Sequence, residues 1–134
     1  PAHKPRYLMG VGDPDDLVEA VWRGIDIFDC VMPTRVARHG SALTPDGRIN
    51  MRNLEHAKDQ RPVQVGCACY GCQHFTRGYI RHLLKAKEIL GLQLLSLHNL
   101  YFLIQHMQHI RQAIMTGALA QYRAAFLQRY LQQA

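Results

Sequence analysis

The stretch Cys67-Ala-Cys69-Tyr-Gly-Cys72 constrains this chain more than any other. Three thiols in six residues, flanked and interrupted by Gly66 and Gly71, are too dense for an apolar core and close enough to converge on one point. A tetrahedral Zn²⁺ bound by three thiolates takes one more ligand, usually from a distant element, so that the metal ties two parts of a chain together. His98 supplies it best and gives C-x-C-x2-C-x25-H, a Cys₃His set with no open position for water. His74 and His82 compete for the fourth place, although His74 would have to curl back into its own loop. The alternative, one disulfide plus two free thiols, lacks support because no stretch resembles a signal peptide. Four buried apolar cysteines fit poorly with a loop so rich in glycine and polar residues.

The length suits one domain. No apolar run approaches the roughly 20 residues of a membrane span. A formal net charge of +6 favours an anionic partner such as a nucleic acid. The chain begins at Pro1 rather than Met, which suggests a piece of a longer polypeptide.

After a polar lead-in, Arg6–Gly12 reads as a short buried strand. Asp13-Pro14 then supplies a helix cap and first turn. Leu17, Val18, Val21 and Trp22 form one apolar stripe, and Gly24 stops the helix. Ile25–Cys30 reads as a second strand, so the segment is a βαβ unit with parallel strands. Thr34–Gly40 reads as a basic loop. Pro45-Asp46-Gly47 sits between two short arms, a plausible hairpin. Thr76 caps a helix marked by Tyr79, Leu83, Ala86, Ile89 and Leu90 and ended by Gly91. Leu92–Leu97 reads as an apolar linker or strand. His98 then opens a helix to about Met115, Gly117 breaks it, and a last helix runs from about Ala118 to Leu131.

A second constellation follows the second strand. Asp29 stands at the C-terminal end of a parallel strand, where α/β folds place their chemistry. Emerging from a buried strand, it would be costly unless paired or working. Nucleophile, general base and ion-pair partner of Arg35 or Arg38 all suit it. Arg35 and Arg38, with Arg48, Arg52, Arg61, Arg77, Arg81, Lys85 and Lys87, make either a phosphate-contacting surface or a solvated basic face.

Three stretches together resemble one family. Phe28–Gly40 (FDCVMPTR-x-AR-x-G), the C-x-C-x2-C loop and Leu94–Phe102 (LLSLHNLYF) look like tRNA-guanine transglycosylase, also called queuine tRNA-ribosyltransferase. Tyr7–Gly12 is similar to that family's base-pocket strand. The resemblance covers nearly all of this chain but only the C-terminal part of the family's catalytic unit, a (β/α)₈ barrel with an inserted zinc subdomain. It implies that residues 1–40 hold the last two barrel strands, with Arg6–Val11 the seventh and Ile25–Cys30 the eighth. Residues 41–97 would be the zinc-binding subdomain, completed by His98, and residues 98–134 the C-terminal helices. The family exchanges guanine at the tRNA wobble position for a 7-deazaguanine, and is cytoplasmic and dimeric. The resemblance implies Asp29 as nucleophile, Tyr7, Met9 and Gly10 as base-pocket residues, and Thr34, Arg35 and Arg38 as tRNA contacts. Cys67, Cys69, Cys72 and His98 would hold one structural Zn²⁺. His39 stands where many members carry Asn. The family's second catalytic aspartate belongs to earlier strands, so this chain alone is expected to be inactive. A stand-alone zinc-stabilised tRNA-binding or dimerisation module is the other expectation.

Overall fold

A computed structural model describes residues 3–132. Pro1 and Ala2 of the expected lead-in, and residues 133–134 of the last expected segment, lie outside it. The chain opens as a βαβ unit. β1 (Tyr7–Met9) leads through Asp13 into α1 (Pro14–Trp22), whose proline occupies the first helical turn. The chain turns at Gly24, with φ at 93°, into β2 (Ile27–Asp29). β2 pairs parallel with β1, Tyr7 opposite Ile27 and Met9 opposite Asp29.

The next segment departs from expectation. Residues 34–40 are not a loop, because α2 spans Met32–Arg38. Pro33 lies in its first turn, where a missing N–H costs nothing, and Pro33 and Ala37, one helical turn apart, are both buried. Arg35, Arg38 and His39 instead point outward.

β3 (Ser41–Thr44) and β4 (Gly47–Asn50) form the expected hairpin around Pro45-Asp46. The Thr44 hydroxyl donates to the Gly47 carbonyl at 2.8 Å and closes the turn. A short 3-10 turn (Leu54–His56) and an irregular stretch lead to α3 (Tyr70–His74), which Cys69 caps by accepting from the Cys72 N–H. α4 (Arg77–Lys85) begins at Thr76, whose hydroxyl accepts from the Tyr79 N–H as its position suggests.

The α4–α5 joint corrects a second expectation. The chain turns at Lys87, the one non-glycine residue with positive φ among the described residues, and α5 runs unbroken from Ile89 to Met115. Gly91 therefore lies inside α5, and Leu92–Leu97 is helix. The glycine serves close packing: a Cβ there would lie 3.0 Å from the Cβ of Leu83 on α4. His98 does not open a helix but stands in the third turn of α5. The expected boundary at residues 97 and 98 falls inside one rigid element. Gly117, with φ at 70°, then reverses the chain into α6 (Leu119–Leu131).

α5 is the spine. Gly91, Leu94, Leu95, His98, Asn99, Phe102, His106, Ile110 and Ala113 form its buried stripe, at the three- and four-residue steps of one helical face. Its N-terminal half joins Met51, Val63, Ile80, Leu83, Leu84 and the three loop cysteines in one core. Its other half packs on α1 and α6. There His106 Nε2–H donates to the Pro14 carbonyl at 2.9 Å, and Nδ1 accepts from the Tyr122 hydroxyl at 2.9 Å. A carbonyl partner fixes the tautomer, so His106 is a neutral joint between α1, α5 and α6.

The β1–β2 sheet is not buried as its sequence suggests. Tyr7 is 53% exposed, Met9 72% and Ile27 48%. Each strand has one neighbour, so each keeps one open edge.

Candidate metal centre and strand-end carboxylate

The cysteine loop and α5 bring Cys67, Cys69, Cys72 and His98 together, all four buried, with their ligand atoms within 4.8 Å of one another. The three Sγ atoms lie 3.8, 3.6 and 3.4 Å from His98 Nδ1. Tetrahedral bonds of about 2.3 Å to sulfur and about 2.0 Å to nitrogen put such S···N pairs roughly 3.6 Å apart. The residues therefore fit a tetrahedral cation of that size. His74 and His82, the competing ligands, are exposed and lean on Tyr70 and Tyr79.

Local backbone geometry builds this arrangement. The Cys69 N–H points at Cys67 Sγ (3.5 Å) and the Cys72 N–H at Cys69 Sγ (3.4 Å). Such donors favour thiolate over thiol. Burial pushes the Cys69 thiol up, but bonds from His98, the Cys72 N–H and Cys67 outweigh it and bring it to about 6. Burial raises Cys72 further than its partners can lower it. At His98, burial opposes the charged ring, yet the three sulfurs raise it to about 11. A proton on Nδ1 and a metal cation thus compete for the same set of donors.

The outer partners of His98 are equally defined. Its Nε2–H donates to the Leu43 carbonyl at 2.8 Å, which leaves the Nδ1 lone pair facing the sulfurs. The next residue, Asn99, accepts from the Leu43 N–H at 2.9 Å and donates to Pro33 O at 3.0 Å and Ser41 O at 3.1 Å. Asn99 is fully buried. Sequence reasoning passed it over, and its signal was a lone amide on the apolar stripe of a helix, beside a ligand.

Asp29 ends β2, exposed rather than buried. It does not pair with Arg35 or Arg38. Its carboxylate accepts from the Tyr7 hydroxyl across the sheet. That bond raises the Tyr7 pKa, with burial and the Asp29 charge adding to it. Met9 lies in register with Asp29, and Gly10 follows with φ at 73°. Beside them Cys30 Sγ packs so close to Gly12 that a Cβ there would lie 2.4 Å from the Cys30 Cβ. α2 then carries Thr34, whose hydroxyl donates to Val31 O at 3.2 Å, and the exposed Arg35 and Arg38. So Tyr7, Met9, Gly10 and Asp29 share one strand end. A trough of about 860 Å³, lined in part by Ile27, Asp29, Leu100, Ile104 and Ile114, opens beside it.

The wider basic surface is partly spent inside the fold. Arg48 pairs with Asp13, and Arg61 with Asp59 at 2.7 Å. Arg52 donates to His39 O and Leu84 O, Arg77 to Pro62 O and Val63 O, and Arg81 to Asn53 O. Arg35, Arg38, Lys85 and Lys87 make no ion pair among the described residues.

A sequence model of the queuine tRNA-ribosyltransferase family matches residues 1–132. The chain belongs to that family. It is 60% identical over 130 residues to a queuine tRNA-ribosyltransferase of Symbiobacterium thermophilum, covering 97% of this chain and 32% of the relative. It is 55% identical over 134 residues to that of Halothermothrix orenii, covering 100% of this chain and 36% of the relative. The chain thus spans about a third of the length of the curated relatives it matches. Those relatives carry the name of an enzyme that acts on tRNA. Among the described residues, no helix is long and apolar enough to cross a membrane.

Proposed function

We propose that this chain is the C-terminal, nucleophile-bearing part of a tRNA-guanine transglycosylase, which exchanges guanine at the wobble position of a tRNA for a 7-deazaguanine base. The observation that carries this reading is Asp29. Its carboxylate stands at the C-terminal end of a parallel strand, turned to solvent, held by the Tyr7 hydroxyl and followed at once by the basic helix α2.

On this reading the target nucleotide leaves its stack to reach the strand end. Asp29 attacks ribose C1′, and the bond from C1′ to guanine breaks with its electron pair on the base, which takes up a proton. The incoming base attacks C1′ through its ring nitrogen and gives up a proton there. The bond from C1′ to Asp29 breaks and restores the carboxylate. Two inversions give overall retention, as in retaining glycosidases. Tyr7, Met9 and Gly10 line the base pocket, and Thr34, Arg35 and Arg38 contact the tRNA.

Cys67, Cys69, Cys72 and His98 would hold one Zn²⁺, which contributes folding energy and no reaction step, because protein atoms fill all four positions. The chain up to residue 40 belongs to the end of a (β/α)₈ barrel, 41–88 to the zinc subdomain, and α5 supplies His98 to that subdomain before leading to the C-terminal helix α6. The open edges and exposed faces of β1 and β2 belong against the remaining strands. The protein works in the cytoplasm, where tRNA is found. It dimerises through the zinc region, where Tyr70, Phe75, Tyr79 and His82 form a partly exposed aromatic row.

Full-length protein mixed with tRNA should give a covalent species that survives a denaturing gel. Asp29→Asn should give none, and the 134-residue chain alone should exchange no base. An adduct with Asp29→Asn, or exchange by the isolated chain, would overturn the reading. Salt-sensitive tRNA binding with no adduct from any form would favour the non-catalytic module instead.

A further inference from the structure

Asn99 occupies a junction that the proposed chemistry leaves unused. Its amide spends both N–H donors and one acceptor within 3.1 Å: Pro33 O, Ser41 O and the Leu43 N–H. The adjacent metal ligand His98 holds the other side of the same residue, donating to Leu43 O. Consecutive residues of α5 therefore grip one residue of β3, Leu43, at the N–H and the carbonyl of its two adjoining peptides. The second arm of Asn99 reaches the first turn of α2, four residues after Asp29. Both side chains are fully buried, so water cannot replace any of these bonds.

We infer that Asn99 is a positioning residue, which transmits the placement of the metal-binding turn of α5 to the first turn of α2 and so sets where Thr34, Arg35 and Arg38 stand relative to Asp29. His98, held at Nδ1 by the sulfur cluster or by a metal it would bind there, sets the rotation of α5 at this turn. The bonds at Leu43 then fix β3, and the Pro33 carbonyl fixes α2. Arg35 and Arg38 make no ion pair of their own, so the path of α2 alone determines their positions. The inference rests on the reading of α2 as the tRNA-contacting helix for its kinetic consequence, but not for its structural one.

The test compares Asn99→Asp with Thr44→Val in the full-length, zinc-loaded protein. Asp keeps the acceptor for the Leu43 N–H and loses both donors. Thr44→Val breaks two hydrogen bonds of a buried hydroxyl, to Gly47 O and from the Asp46 N–H, neither of which touches α2. Metal content, amide exchange of residues 34–40 and steady-state kinetics are measured on both. With Asn99→Asp, metal content should stay at one per chain. Exchange in residues 34–40 should speed up about tenfold or more, and KM for tRNA should rise about tenfold with KM for free guanine unchanged. Thr44→Val should leave exchange in residues 34–40 and both KM values unchanged. Wild-type exchange rates and KM in Asn99→Asp, or equal changes in both variants, would overturn the inference and make Asn99 an ordinary packing residue. Should Asn99→Asp not fold, Asn99→Ser, smaller and uncharged, carries the same readouts. A wild-type protein with no base-exchange activity would refute the proposed function alone, because amide exchange still reads the coupling.

Discussion

The metal side and the strand end of this molecule are built to different degrees of completeness. Around the cysteines, every ligand is buried, N–H donors face Cys67 Sγ and Cys69 Sγ, and Met51, Ile80 and Leu95 are 0% exposed. At the strand end, two three-residue strands pair only with each other, and Met9 and Tyr7 lie open. A sheet of two short strands is marginal by itself. The first region contains what it needs within this sequence. The second presents a carboxylate beside an open trough rather than an enclosed pocket, which suits a chain about a third as long as its relatives. A structural metal can be completed locally because loop and helix both lie in this stretch. A site at the ends of parallel strands draws on strands far apart in sequence.

The largest effect that would break this contrast comes from the metal. Cys69→Ser, or chelation, should destabilise the metal side by on the order of 5 kcal/mol or more, read as lost helical signal and lost metal in a thermal melt. A chain that keeps its melting transition without metal would show that the metal side is not held together as described.

Met51→Ala, in the metal-side core, should cost about 2–5 kcal/mol through its cavity, measured from the denaturant midpoint. The matching change at the strand end, Met9→Ala, should have the smallest effect of all.

His106 tests the joint between the two regions. Burial pushes it down to about 4. Its folded pKa lies below the unfolded value of about 6.5, so the unfolded chain takes up a proton first as pH falls. The stability tied to the neutral ring is complete above about pH 6.5 and is lost progressively toward about pH 4, in total roughly 2–4 kcal/mol. In metal-saturated protein, His106→Gln should remove that part of the pH dependence. A wild-type midpoint that stays level between those pH values would argue against a neutral buried ring.

Met9→Ala in this chain should change stability by about 0.5 kcal/mol or less, because Met9 is 72% exposed. A cost as large as that of Met51→Ala would mean that the strand end is packed after all, and would erase the contrast.

What the sequence made readable follows the same division. The βαβ unit, the hairpin and the Cys₃His set rest on local signals: Asp13-Pro14, Pro45-Asp46-Gly47 and a tight cysteine spacing. The misreadings arose where one residue type serves two purposes. Pro33 starts a helix, while the basic stretch after it, Thr34–Gly40, reads as a loop. Gly91 permits close packing of α4 on α5 but reads as a stop, while the true turn sits at Lys87, a residue with no preference for it. The burial of β1 and β2 followed from apolar pattern alone, and pattern cannot show whether the covering elements are present. The Tyr7–Asp29 bond and the Asn99 junction join residues too far apart in sequence for any local signal to reveal.

α5 carries one further consequence, for how this family's sequences can change in length. His98 and Asn99 must meet Leu43 while, two turns on, His106 must meet Pro14. One residue inserted between them would turn the far half of the helix by about 100° and advance it by about 1.5 Å. No side-chain rotamer restores both contacts after such a turn. Insertions and deletions between Asn99 and His106 should therefore be excluded from functional sequences.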